Sequence, residues 1–181
     1  MHRPSWVYSA LLMSAAAFAG DLPTADRDFV LEAAAGATGE VEAGALAKSK
    51  GAAAEVRHFG ATMVRDHARL NAKLKAFAAR KKISLPSTLD AKQLARLKEL
   101  QSKTGAEFDR AYVRGQIADH EATRALLERE IRDGQDADAR ALAEELLPTV
   151  MAHLQHAWRL SGTPTVSVAD SRRPRLHQFT G

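Results

Sequence analysis

Apolar residues recur every three or four positions in four long stretches of the chain, which is the spacing of one buried helix face. The clearest face lies between about Ala52 and Lys82 and consists of Val56, Phe59, Met63, His67, Leu70, Leu74 and Phe77. The same period is found from about Asp26 to Ser49, from about Thr104 to Asp133 and from about Asp136 to Ser161. The sequence therefore predicts four long helices.

The connection between the second and third long helices is itself patterned. A shorter helix is predicted from about Leu89 to Ser102, with one side formed by Leu94, Leu97 and Leu100. Thr104 and Glu107 have the spacing of a capping box, which predicts where the next helix begins. A connection of this length can cross a bundle and make the two flanking helices parallel, as in ferritin-like folds. We expect an all-α, ferritin-like four-helix bundle with a short extra helix between helices 2 and 3.

Each long helix carries an ionisable residue where its apolar face should be unbroken. These residues are Glu40, His67, His120 and His153, and an aspartate, Asp66 or Asp119, directly precedes each of the first two histidines. Isolated ionisable groups are costly in a protein interior. We therefore expect these groups to satisfy one another or to hold a ligand.

A metal site is one interpretation of these positions. Imidazole and carboxylate groups from four helices can hold Zn, Cu, Fe or Mn, and the aspartates would either ligate the ion or orient the imidazoles from behind. The candidate metal residues are Glu40, Asp66, His67, Asp119, His120 and His153.

The alternative is a hydrogen-bonded polar layer that only fixes the register of the helices. Counted from the turns at Gly51 and Gly134, facing residues are offset by five positions, or roughly 7 Å along the helix axis. One site, two smaller sites and a simple polar layer all stay open at this point.

Other chemistries have little support in the sequence. A di-iron site needs two Glu-x-x-His motifs, and the chain has one such string, from Glu55 to His58, beside the buried face. The chain has no cysteine, which excludes disulfides and thiolate ligands. No nucleophile elbow or phosphate-binding loop is present. We assign no catalytic residue.

The N-terminus has the pattern of a secretory signal peptide. Arg3 precedes an apolar run from Trp6 to Phe18, and Ala17-Phe18-Ala19 fits a cleavage site. We expect a signal peptide at 1–19, cleavage near Ala19–Gly20, and a periplasmic or secreted protein. The apolar run is shorter than the roughly 20 residues that span a bilayer, and no comparable run follows. We expect no transmembrane segment in the mature chain.

The remaining chain divides into a helical domain at 24–161 and a basic tail at 162–181, which we expect to be disordered. The net charge is +4, and part of that excess comes from Arg3, Arg172, Arg173 and Arg175, which lie outside the helical domain. No helical face concentrates basic residues or interleaves them with aromatic ones, so we expect no nucleic-acid partner.

Several motifs give the sequence a resemblance to a known family over about Asp26 to Leu160. They are Gly39-Glu40-Val41-Glu42, Met63-Val64-Arg65-Asp66-His67, Phe108-Asp109-Arg110-Ala111-Tyr112, Asp119-His120, Leu147-Pro148 and His153-Leu154. The sequence resembles exported bacterial proteins that carry the domain of unknown function numbered forty-one forty-two, often labelled "predicted outer membrane protein" and grouped with ferritin-like folds. The resemblance implies export and a helical bundle, and it supplies no established activity.

Two functional hypotheses follow. In the first, the protein is an exported helical bundle of unknown biological role that binds a divalent metal through interior His, Asp and Glu. In the second, it is a non-catalytic structural or interaction module of the cell envelope, with an envelope protein as its partner, and its interior Asp-His pairs are only a polar core layer.

Overall fold

The computed structural model describes residues 21–162, which form five helices and no strand. They are α1 (Thr24–Lys50), α2 (Ala54–Arg80), α3 (Ala91–Ser102), α4 (Gly105–Asp133) and α5 (Ala137–Ser161). The all-α class and the five predicted helices are confirmed. The predicted signal peptide at 1–19 and all but the first residue of the predicted tail at 162–181 lie outside the described residues.

The four long helices pair as two hairpins. Short connections at 51–53 and 134–136 join α1 to α2 and α4 to α5, so the two helices of each hairpin run antiparallel. The hairpins meet where α1 packs against α4 and α2 packs against α5, while α3 lies against α1 and α4. Each long helix therefore turns one face toward a shared interior.

The first hairpin is held by a close approach of two backbones. A Cβ atom on Gly60 would lie 2.6 Å from the backbone nitrogen of Lys48 and 2.7 Å from the carbonyl oxygen of Gly44. Only glycine fits at position 60, and the residues of α1 that face it, Gly44 and Ala47, are small as well. This approach brings α1 close enough for Glu40 to point into the interior.

Side-chain caps fix the start of two helices. Asp90 accepts a hydrogen bond from the backbone N–H of Gln93 while Gln93 accepts one from the backbone of Asp90, which forms a capping box on α3. Asp136 accepts a hydrogen bond from the backbone N–H of Ala139 at the start of α5.

The capping box predicted at Thr104 is wrong. The hydroxyl of Thr104 makes no cap hydrogen bond, and the carboxylate of Glu107 instead accepts one from Lys103, at 2.9 Å. The predicted face of α3 is also only partly right, because Leu100 is buried whereas Leu94 is 54% exposed. The short helix thus contacts α1 through Gln93 near its start and buries only Leu100, near its end.

No helix among residues 21–162 is long and apolar enough to cross a membrane.

Candidate metal centre

A layer of polar side chains separates two apolar clusters in the interior. One cluster includes Phe29, Leu74, Phe77, Leu127 and Val150, and the other includes Phe59, Met63, Phe108, Val113 and Ala157. The buried polar side chains that fall between them along the helices are Glu40 of α1, His67 of α2, Gln116 and His120 of α4, and His153 of α5. All four long helices therefore place a polar group at the middle of the core.

Three of these side chains form a compact group. His67, His120 and His153 each offer a ring nitrogen that lies within 4.8 Å of the nitrogens offered by the other two. Their ring centroids are 5.5 Å apart for His67 and His120, 5.2 Å for His67 and His153, and 5.4 Å for His120 and His153. We call this the three-histidine group. It is the one such group of metal-ligating side chains among residues 21–162.

Two of the three rings are held from behind by hydrogen bonds. Nε2 of His153 lies 3.1 Å from Oδ2 of Asp66, and Nδ1 of His120 lies 2.9 Å from the backbone carbonyl oxygen of Gln116. Each oxygen accepts from its ring N–H and so leaves the other nitrogen of that ring with a free lone pair. Those nitrogens, Nδ1 of His153 and Nε2 of His120, are buried and have no protein partner among the described residues.

His67 has no such support. Both of its ring nitrogens are buried and lack a hydrogen-bond partner among the described residues. A buried polar atom without a partner costs about 1–3 kcal/mol, so His67 is the least satisfied side chain of the group. A bound ion is one of the partners that would satisfy such a group.

Burial keeps the three imidazoles neutral. Loss of hydration lowers the pKa of His67 well below its ordinary value, and the neighbouring His120 and His153 lower it further. Burial lowers the pKa of His120 to about 4 and also lowers the pKa of His153, which the Asp66 carboxylate partly opposes. Neutral imidazole is the form that binds a metal, so no proton has to be displaced near pH 7.

The two aspartates take different partners. Asp66 accepts hydrogen bonds from Arg65 at 2.8 and 3.0 Å in addition to its contact with His153, and these partners lower the pKa of Asp66 to about 2. Asp119 forms an ion pair with Arg96 of α3. Both carboxylates are outside the three-histidine group, so the structure places Asp66 behind a histidine and Asp119 away from the group.

Glu40 also lies outside the three-histidine group. Its Oε2 accepts a hydrogen bond from Nε2 of Gln116 at 2.6 Å, in the same polar layer. Burial raises the pKa of Glu40 to about 8, and the Asp119 carboxylate adds to this rise. Glu40 is therefore protonated at neutral pH, which makes it a poor ligand for a cation.

The spacing of the histidines suits a single ion after small adjustments. Tetrahedral bonds of 2.0–2.1 Å from imidazole nitrogens require those nitrogens to be about 3.3 Å apart. Nitrogens within 4.8 Å of one another reach that spacing if each ring moves inward by about 1 Å or less. Three imidazoles with a fourth position left open is also a known pattern for a metal that binds a further ligand.

Sequence reasoning identified the three histidines and missed two residues around them. Gln116 supports both His120 and Glu40, and Arg96 holds Asp119. A signal for Gln116 was present, because Tyr112, Gln116 and His120 follow one another at four-residue spacing on one helix face. Arg96 had no such signal, since it lies on a helix with a single buried residue.

The family described as "Domain of unknown function (DUF4142)" matches residues 11–160. The chain belongs to this family. The resemblance noted from the sequence motifs is thereby confirmed, and the family description carries no activity. None of the curated proteins matches this sequence.

Two solved structures are similar to this one in fold. A DUF305 fragment from Deinococcus radiodurans has a TM-score of 0.70 at 12% identity and covers 79% of this chain and 99% of its own. A conserved hypothetical protein, rv2844, from Mycobacterium tuberculosis has a TM-score of 0.59 at 12% identity and covers 80% of this chain and 95% of its own. At this identity the likeness concerns the fold alone.

Proposed function

We propose that this protein binds one divalent transition-metal ion through His67, His120 and His153. The observation that carries the proposal is that three buried, neutral imidazoles converge and leave ring nitrogens without a protein partner. The Asp66 carboxylate and the Gln116 carbonyl act behind His153 and His120, where they hold each ring in the tautomer that ligates.

The donor set favours particular metals. The ligands are three nitrogens, and the nearby carboxylates of Asp66 and Asp119 have arginine partners. Imidazole suits Zn, Cu and Fe, whereas Mn prefers carboxylate and water oxygens. Divalent affinity generally peaks at Cu. We therefore rank Cu and Zn above Fe, and Fe above Mn.

We further infer that the four long helices form a ferritin-like four-helix bundle and that the protein is exported. The two packed hairpins and the long connection that contains α3 support the bundle. The signal-like residues 1–19 support export to the periplasm or beyond. A mass spectrum of the exported protein that begins at Gly20 is the expected result, and an intact Met1 in the cytoplasm would contradict export.

The competing function is a structural or interaction module of the cell envelope. The satisfied hydrogen bonds of His153 and His120 favour it, because they belong equally to a simple polar layer. His67 argues against it, since a layer that serves register alone should satisfy its own members. If the protein is such a structural module, no metal binds, and replacing His67 and His120 leaves partner binding unchanged.

Titration calorimetry on the full chain, after chelator treatment, tests the metal site. We expect one equivalent of Zn²⁺ or Cu²⁺ to bind and His67→Ala to abolish binding. His156→Ala is the matched control, because His156 is one turn from His153 but contacts the ring of Phe59, at 4.6 Å, outside the group. Absence of metal from the purified protein, together with a melting temperature unchanged by Zn, Cu, Fe and Mn, would overturn the proposal.

A further inference from the structure

A cavity of about 260 Å³ lies beside the three-histidine group, and its lining includes exposed residues of α1, α3 and α4. Most of its wall is apolar and includes Gly36, Ala43, Leu70, Leu74, Leu126 and Leu127. Exposed residues of α1 and α3, Glu32 and Lys92, line its outer part. A mostly apolar lining with a few polar groups is typical of a site for a small organic molecule, and a volume just below the usual range of about 300–1,000 Å³ suits a small one.

One end of the cavity is polar and incompletely satisfied. Tyr112 and Gln116 both line the cavity, and both are at least 98% buried. The hydroxyl of Tyr112 and the Oε1 atom of Gln116 have no hydrogen-bond partner among the described residues. The rings of Tyr112 and Phe108 are stacked, with their centroids 6.2 Å apart and an angle of 8° between their planes. This stacking holds the Tyr112 hydroxyl in place. Buried polar atoms are normally paired, so this end is suited to a polar ligand group.

Neither cationic side chain of the cavity, Arg96 nor Lys92, is available at its polar end. Nε2 of Gln116 donates to Glu40, and Arg96 forms an ion pair with Asp119. Lys92 of α3 also lines the cavity, but it is exposed and lies at the outer part of the cavity. An anionic ligand therefore has no free cation at the polar end. A head group with one donor for Gln116 and one acceptor for Tyr112 fits, which a hydroxyl or a primary amide provides.

We propose that this cavity binds a small uncharged molecule with an apolar body and one hydroxyl or primary amide head, the head bonding to Tyr112 and Gln116. Neither residue belongs to the three-histidine group, so the proposal stands whether or not a metal binds. His67 belongs to the three-histidine group and also lines the cavity, so the bound molecule lies beside a proposed metal ligand.

Gly36→Leu and its control separate cavity binding from surface binding, and a third variant tests the contact with the head group. A Cβ atom on Gly36 meets nothing within 4 Å, so the first atom of a side chain fits there, and Gly36→Leu extends that side chain at the cavity wall. Gly36→Ala is its matched control, because it makes a similar change in helix propensity and fills little of the cavity. Tyr112→Phe removes only the hydroxyl and leaves the stacked ring in place.

Titration calorimetry with the metal-free full chain tests the proposal, using 1-hexanol, hexanamide and hexanoate as probes. We expect 1-hexanol and hexanamide to bind with one equivalent and hexanoate to bind at least about tenfold more weakly. Gly36→Ala should bind like the wild type, Gly36→Leu should not bind, and Tyr112→Phe should bind about tenfold more weakly, the effect of one lost hydrogen bond.

Three results would overturn the inference. They are no binding of either neutral probe, unchanged binding in Gly36→Leu, and hexanoate binding as tightly as 1-hexanol. Unchanged binding in Tyr112→Phe would overturn the placement of the head group. Because no metal is present in this experiment, none of these outcomes bears on the proposed metal site, which the metal titration tests separately.

Discussion

Nε2 of His153 lies 3.1 Å from Oδ2 of Asp66, a contact that joins α5 to α2 across the bundle interior. Arg65 holds the same carboxylate from the solvent side, at 2.8 Å, and is the first cause of the lowered pKa of Asp66. The carboxylate is therefore ionised at neutral pH and accepts the Nε2 proton. This leaves Nδ1 of His153 as the nitrogen that is free to bind a metal.

Asp66→Asn should weaken metal binding. An amide oxygen carries no charge and is a weaker acceptor for the His153 N–H, and losing such a partner typically costs about 10–100-fold in metal affinity. The matched control is Asp119→Asn, which removes the corresponding charge before His120 but changes a carboxylate that pairs with Arg96. Competition titrations with a zinc chelator at pH 7 measure both. Equal losses in the two variants would contradict the role given to Asp66.

His67→Leu should stabilise the metal-free protein. The substitution removes two buried nitrogens that have no partner and keeps a side chain of similar volume. The expected gain is about 1–3 kcal/mol in the free energy of unfolding, measured with urea in the presence of a chelator. His153→Leu is the comparison and should gain less, since it removes the partner of Asp66. A metal-free His67→Leu protein that is less stable than wild type would show that His67 is satisfied in the folded state.

The convergence of the histidines was only partly predictable from the sequence. Counting from the turn at Gly134 put His120 and His153 at different heights, yet their rings are 5.4 Å apart. Measured from the helix ends, His120 lies 13 residues before Asp133 and His153 lies 16 residues after Ala137, so the offset is smaller. Helical side chains also point toward the N-terminus of their helix. In the antiparallel pair α4 and α5, this moves the ring of His120 away from the turn and the ring of His153 toward it, so the two rings approach each other.

The helices and their buried faces followed from periodicity, because spacing along one helix is a local property. Contacts between helices could not be predicted from the spacing of residues along each helix. Glu40 was expected to be a candidate ligand, but its partner is Gln116 on α4, a residue that its polarity kept out of the predicted face. The exposure of Leu94 was missed for the same reason, since α3 has few helices to pack against.

Glu40 should make stability depend on pH. Its pKa is raised from 4.5 to about 8 in the folded chain, so the folded state keeps its proton while the unfolded chain ionises. The stability that Glu40 contributes is complete below about pH 4.5 and is lost as the pH rises toward 8, by up to about 1.4 kcal/mol per pH unit. Glu40→Gln lacks this loss. Its free energy of unfolding should therefore exceed that of wild type by an amount that grows from pH 5 to pH 8.

Urea unfolding at pH 4, 6 and 8 measures the difference between Glu40→Gln and wild type. Glu42→Gln is the control, because Glu42 lies on the same helix and is exposed. We expect its difference from wild type to stay constant across this range. A difference for Glu40→Gln that also stays constant would mean that the buried carboxyl is ionised in the folded protein.

Gly60→Ala should strongly destabilise the first hairpin, whereas Gly36→Ala should not. The added Cβ on Gly60 would lie 2.6 Å from the backbone nitrogen of Lys48, and backbone cannot move aside as a flexible side chain can. Separating α1 from α2 at this point costs about 1–3 kcal/mol or more, by analogy with overpacked cores. Gly36→Ala meets no atom within 4 Å and should gain about 0.5–1 kcal/mol from helix propensity. Thermal unfolding of both variants, followed by circular dichroism, tests the pair, and a Gly60→Ala protein as stable as wild type would show that the two helices are farther apart than the structure has them.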